Sequence, residues 1–256
     1  MEGGIGKKEY LGRNDLREFV VPPEVEEIGD WAFAQCACLK RIAIPATIAV
    51  IGRSIFEGCD ALTRIFIYAS DDHVFTFSSC TTLDDVLAEL TAYAWTLFPS
   101  AVLMQPDRVG TDVWLDAWDA ACMTFLQGED DIGFSPFLAG GEEDYAEQLS
   151  SRSHYESVMR RKKADVVLTR LRAEAFFSLR PEEKEQYASY LKSNPEAYAV
   201  LKDCTDHIRE TVAIFDELGL LSGAKSEELI SELPEEAVEL RALLMERANE
   251  VPDFQL

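Results

Sequence analysis

Apolar residues recur at one fixed interval along the first quarter of the chain. Leu16, Leu39 and Leu62 are 23 residues apart, as are Phe19, Ile42 and Ile65, and again Val21, Ile44 and Ile67. The same step joins Pro22 to Pro45, Val25 to Ile48, Ile28 to Ile51, Gly29 to Gly52, Phe33 to Phe56 and Cys36 to Cys59. An offset held at so many positions marks an internal repeat, each copy forming one turn of a coil whose inward side chains stack on the equivalent residue of the next turn. Within a turn, Ile42 and Ile44 alternate with Arg41 and Ala43, which is strand periodicity with one face in and one face out. The pattern predicts three parallel strands over residues 16–68, with Leu39, Ile42, Ile44, Ile51 and Phe56 buried. Pro45 lacks an amide donor and ends its strand. Gly29 and Gly52 are expected to supply a positive-φ conformation where the chain turns.

The pattern L-x-x-I-x-I-P-x-x-(V/I)-x-x-I-G-x-x-x-F-x-x-C-x-x-L, carried by Leu16 to Cys36 and again by Leu39 to Cys59, resembles the BspA-type leucine-rich repeat of bacterial surface and intracellular proteins. The likeness runs from residue 16 to about 68, and the third copy departs after Ile67, with Tyr68 where proline belongs. The resemblance implies a short solenoid with a small parallel β-sheet, acting as a non-enzymatic protein-binding module. On that reading the outward strand positions, Glu18, Arg41 and Arg64 in one row and Val20, Ala43 and Phe66 in the next, form the recognition stripe. Cys36 and Cys59 hold stacking positions in the core. A second reading makes the repeats a structural cap and leaves binding to the rest of the chain.

From Thr82 onward the periodicity is helical. Thr81 or Thr82 is the expected N-cap of a helix with Leu83, Val86, Leu87 and Leu90 on one face, and Trp114, Leu115, Trp118, Ala121, Cys122 and Phe125 form the stripe of the next, closed by Gly128. Further helical segments follow to the end, and the tail from Ile208 weakly resembles ankyrin-type helical hairpins; a bundle without repeats explains the same residues. The expected class is α+β: a leucine-rich-repeat solenoid over residues 1–70 fused to an acidic all-α domain over 71–256. Because two full turns and a truncated third leave an open end, the segment from Val74 to Trp95 is expected to pack on the last turn.

Charge sharpens this division. Residues 1–68 hold 8 Lys and Arg against 10 Asp and Glu, residues 69–150 hold 1 against 16, and residues 151–256 hold 15 against 21. A net charge of −23 opposes sequence-independent binding to nucleic acid or anionic membranes. No apolar run is long enough to span a bilayer and no signal peptide is visible, so a cytoplasmic location is expected unless an upstream signal was removed. The six cysteines lack zinc-site spacing and are expected as free thiols. His73, His154 and His207 follow no HExxH pattern, and no nucleophile elbow or phosphate loop is present. Asp112, Asp116 and Asp119 share one helix face, best read as solvated, and the Asp131 to Glu142 loop has the end residues of a calcium loop but Pro136 in place of the turn glycine and no carboxylates at its third and fifth positions. No cofactor or metal is expected. The run Arg160, Arg161, Lys162 and Lys163 reads as an internal ion-pairing face.

Overall fold

The computed structural model describes residues 3–69, 75–131 and 144–249. It comprises two compact units, Met1–Phe125 and Leu126–Leu256. The first is built from six short strands, β1 (Gly4–Ile5), β2 (Glu18–Val20), β3 (Glu27–Ile28), β4 (Arg41–Pro45), β5 (Val50–Ile51) and β6 (Arg64–Tyr68), followed by α1 (Thr82–Thr96) and α2 (Asp112–Gln127). The second holds α3 (Asp144–Ala173), α4 (Pro181–Ser193), α5 (Ala197–Asp203), α6 (Ile208–Glu217), α7 (Gly223–Glu232) and α8 (Val238–Ala248). The fold is α+β, repeats joined to helices.

Each turn of the coil contributes to two parallel sheets, ordered β1-β3-β5 and β2-β4-β6. The register is the sequence offset itself: Arg41 faces Glu18 and Arg64, Ile42 faces Phe19 and Ile65, and Ile28 faces Ile5 and Ile51. A third side is also laced between turns, where the amides of Lys8, Tyr10 and Gly12 donate to Asp30, Ala32 and Ala34, and those of Trp31, Phe33 and Gln35 to Arg53, Ile55 and Glu57. Leu39, Ile42, Ile44 and Phe56 are buried as predicted, whereas Ile51, on the last turn of its sheet, is only partly so. The coil begins earlier than the repeat pattern suggested. Ile5, Gly6 and Tyr10 stand one step before Ile28, Gly29 and Phe33, and form a leading partial turn.

The glycine expectation is corrected by the geometry. Gly29 and Gly52 are not among the positive-φ residues; a Cβ would lie 2.6 Å from the Lys7 amide nitrogen at Gly29 and 2.4 Å from that of Asp30 at Gly52. Glycine is needed there for the close approach of successive backbones. The left-handed conformation comes two residues later, at Lys8, Trp31 and Ser54, and again at Gly12, Gln35 and Gly58. The thiols of Cys36 and Cys59 donate to the carbonyls of Tyr10 and Phe33 at 3.1 Å, tying each turn to the one before. Burial pushes the Cys59 thiol up to about 12, which keeps it protonated and structural.

Down the centre runs an aromatic column. Tyr10 stacks on Phe33 at 5.1 Å, Phe33 on Phe56 at 5.9 Å, and Phe56 on Trp95 of α1 at 6.4 Å. Helix α1 thus supplies the ring that a further repeat would have supplied, and packs on β6. Thr81 caps this helix through a reciprocal pair with Asp84. Leu83 is exposed, off the expected stripe, while Ala88, Leu90, Thr91, Ala92, Ala94 and Trp95 are buried. Trp95 and Trp114 both donate their indole N–H to the Leu103 carbonyl, at 2.8 and 3.1 Å, and Trp118 donates to Leu90 at 2.9 Å. The shift from strands to helices falls beside Tyr68, where the charge pattern changes, yet α1 shares a compact unit with the repeats because it completes their core.

In the second unit α3 packs against α4, α5 and α6, while α8 packs against α6 and α7. The described helices gather on one long helix, α3, and consecutive helices pack in the pairs α3–α4, α5–α6 and α7–α8. The basic run on α3 is ion-paired: Arg160 and Lys163 meet Asp130 at 2.7 Å, and Arg161 meets Asp203. Lys163 is buried at 2% exposure and also donates to the Gly128 carbonyl. Among the described residues no helix is long and apolar enough to cross a membrane.

Candidate interaction surface

The outward strand rows are where the sequence placed recognition, and the structure puts other parts of the chain on them. Ala43 is 0% exposed and Phe66 3%. They form a cluster with Tyr68 and Ala88, against which Val20, Phe75, Phe77 and Cys80 pack. Phe66 meets the rings of Phe75 at 5.8 Å and Phe77 at 5.5 Å, and Tyr68 meets Phe75 at 5.2 Å. Tyr68, standing where the repeat has proline, donates its hydroxyl to the Val21 carbonyl two turns back. Val20, Ala43 and Phe66 therefore do not form an open stripe: an apolar outward row is a surface that the chain itself buries. Val74 lies outside the described residues, but Phe75 to Trp95 cover the last turn as expected.

The charged row is likewise engaged. Arg41 donates to Glu18 at 2.7 Å and lies 4.8 Å over the Phe77 ring. Arg64 bonds Glu89 of α1 at 3.0 Å and lies 3.5 Å from Asp85. Glu18 is exposed, and Val20, Arg41 and Arg64 keep part of their surface. Arg64 thus acts as a clasp that holds α1 to β6, an ionic seam in a partly dry setting.

What remains open is the turn side of the coil. Trp31 is half-buried there, with the ammonium groups of Lys7 and Lys8 at 5.1 and 5.5 Å from its ring centroid. Beside it lies a groove of about 190 Å³ lined by Lys8, Leu11, Trp31, Ala34, Gln35 and Glu57. None of these was singled out in the sequence. The signal that pointed to them is the repeat phase, since Lys8, Trp31 and Ser54 occupy one column. A second cavity, about 310 Å³, lies between β6 and α1 and includes Cys80, Asp84 and Thr91 in its wall.

Asp119 is buried at 3% exposure, away from the solvated face that carries Asp112 and Asp116. His73 and most of the loop from Asp131 to Glu142 lie outside the described residues, and His207 is the N-cap of α6. Among the described residues no group of three or more His, Cys, Asp and Glu side chains is placed to hold a metal ion.

Residues 4–93 match the family model described as "BspA type Leucine rich repeat region (6 copies)". The N-terminal part of this chain is a BspA-type leucine-rich repeat region. The matched span begins at the leading partial turn and runs into α1, ending two residues before Trp95. Searches of curated proteins and of solved structures find no match to the chain. Leucine-rich repeats are in general protein-interaction modules.

Proposed function

We propose that this protein is a non-catalytic protein-interaction module that binds its partner through the open side of the BspA-type solenoid. The observation that carries this reading is the aromatic column sealed by Trp95: it ties the turns into one scaffold and needs none of the turn-side side chains of Lys8, Trp31 and Ser54. A rigid scaffold that presents varied residues at a fixed spacing suits recognition, because little conformational entropy is lost on binding. The strand rows are taken up by α1 and by Phe75 and Phe77, with Glu18, Val20 and Arg41 at their accessible edge, while Trp31 and its neighbours on the turn side stay accessible.

Photo-crosslinking tests this. A benzophenone amino acid is placed at Gln35 or Arg53 on the turn side, and at Val238 or Met245 on the exposed face of α8, in the full-length chain in its native cell extract. Crosslinks to one protein partner from the turn positions are expected. Crosslinks from α8 alone would transfer binding to the helical unit, and none from any position would overturn the reading.

A further inference from the structure

We infer that the turn side around Trp31 is a docking site for an acidic peptide segment of a partner protein. This deepens the interaction reading above and rests on it. The conformation of the turn belongs to the repeat: φ is 59° at Lys8, 55° at Trp31 and 53° at Ser54. Each of these L residues sits in the left-handed region, where glycine would be cheaper by about 1 kcal/mol or more. A tryptophan in that column is therefore not there for the backbone's sake. Nor is it there for the core. The other three tryptophans, Trp95, Trp114 and Trp118, are buried with their N–H groups bonded to carbonyls, whereas Trp31 is half-buried and its indole N–H has no protein acceptor among the described residues.

Its neighbours define what it would bind. Lys7 and Lys8 are exposed, and among the described residues neither ammonium is hydrogen-bonded or ion-paired; both lie against the Trp31 ring. Arg53 is close by in the repeat and its side chain is 84% exposed, with one long contact of 3.5 Å to Asp30. The neighbouring carboxylates are engaged elsewhere: Asp30 accepts from the Arg53 amide at 2.8 Å and Glu9 from the Gly6 amide at 2.6 Å. Lys7 and Lys8 are thus two cations without a carboxylate partner among the described residues, in a protein of net charge −23. Two ammonium groups beside one ring can receive a carboxylate, the groove floor of Leu11 and Ala34 can take a neighbouring apolar side chain, and the indole N–H can donate to the peptide carbonyl between them. Glu57, which also lines the groove, would repel a second carboxylate placed beside it. Three cations are too few to hold a nucleic acid or a membrane against the repulsion of the remaining surface, and the groove volume suits one or two side chains.

The test uses the full-length protein and a defined probe, the peptide acetyl-Glu-Glu-Leu-Glu-Glu-Leu-amide carrying fluorescein. Anisotropy follows its binding, and protection of tryptophan fluorescence from acrylamide reports occupancy at Trp31, the other tryptophans being buried. Saturable binding is expected, weakened at least tenfold in Lys7→Glu/Lys8→Glu and in Trp31→Ala, and weakened as salt rises from 50 to 300 mM. Thermal unfolding of the lysine variant should match the parent, since both side chains are exposed. The proposal falls if the parent shows no saturable binding, if the lysine variant binds equally well, or if the peptide with every Glu replaced by Lys protects Trp31 as effectively. Should the peptide fail while Gln35 and Arg53 still crosslink a partner, the acidic-ligand inference fails and the interaction reading stands.

Discussion

Truncating Trp95 to alanine isolates what the helix contributes to the repeats. The side chain is 4% exposed, stacks on Phe56 and donates to the Leu103 carbonyl. A buried tryptophan removes roughly 200 Å² from water, worth ~5 kcal/mol at 25 cal/mol per Å². Residual structure in the unfolded chain lowers that figure, and the Leu103 carbonyl keeps the Trp114 donor at 3.1 Å, so loss of the hydrogen bond adds little. A destabilisation of ~4 kcal/mol is expected, a large part of a domain's ordinary 5–15 kcal/mol. All four tryptophans lie in the first unit, so urea unfolding followed by fluorescence reports that unit alone. With a urea slope of about 2 kcal/mol per M the midpoint should fall by about 2 M. A Phe56→Ala and Trp95→Ala double-mutant cycle should show coupling of about 0.5–1.5 kcal/mol for the stacked pair. A loss under ~1 kcal/mol, or strict additivity of the two truncations, would refute the claim that Trp95 completes the column.

Gly52→Ala should cost about 3 kcal/mol or more, since its Cβ would meet the backbone of Gly29 and Asp30 at 2.4–2.8 Å, where no side chain can move aside; urea unfolding measures it, and a neutral result contradicts the close-approach account. Iodoacetamide at pH 8 should modify exposed Cys38 long before Cys59, whose thiol stays protonated up to about 12; peptide mapping over time shows the order. Burial opposes ionisation of Asp130, but hydrogen bonds from Lys163 and Arg160 outweigh it and hold its carboxyl below the usual range. Its contribution is therefore present above about pH 4 and lost as pH falls through the lowered value, and Asp130→Asn should flatten that acid limb when unfolding is followed by circular dichroism. A fragment ending at residue 69 should be unfolded or aggregated, because it bares Phe56, Ile65 and Phe66; cooperative melting of a soluble monomer would oppose this.

The coil was legible in the sequence because stacking imposes identity at a fixed offset, and Ile42, Ile44 and Leu39 could be placed inside from alternation alone. The cover on Ala43 and Phe66 was not. Phe75 and Phe77 lie in a short stretch with no period of its own, and alternation marks which face a residue shares without saying what lies across it. The glycines illustrate a different limit. Gly29 and Gly52 share a phase, which shows that a small residue is needed, but steric approach of the neighbouring turn and positive φ leave the same mark in a sequence. The leading partial turn at Ile5, Gly6 and Tyr10 did carry the 23-residue offset, and was missed because tyrosine replaces phenylalanine and Arg13 replaces cysteine there. On α3, charge runs were readable as a paired face, while the identity of the partners, Asp130 and Asp203, depends on contacts distant in sequence.

The column supports the proposal that recognition lies on the sides of this solenoid and not at its ends. Its interior rings, Phe33 and Phe56, carry no polar atom, as fits positions closed above and below. Its terminal rings are amphipathic. Trp95 spends its N–H on the Leu103 carbonyl of the segment after α1, and half-buried Tyr10 bears a hydroxyl that tolerates the water reaching an outermost ring. Both ends of the stack thus have residues suited to closing it, and a ligand there would compete with the fold. On the turn side the case is reversed. Lys8, Trp31 and Ser54 occupy one backbone conformation with three unlike side chains, and none of them belongs to the column. Substitution there changes the surface without touching the stack, so this scaffold separates the residues that hold it together from those free to select a partner.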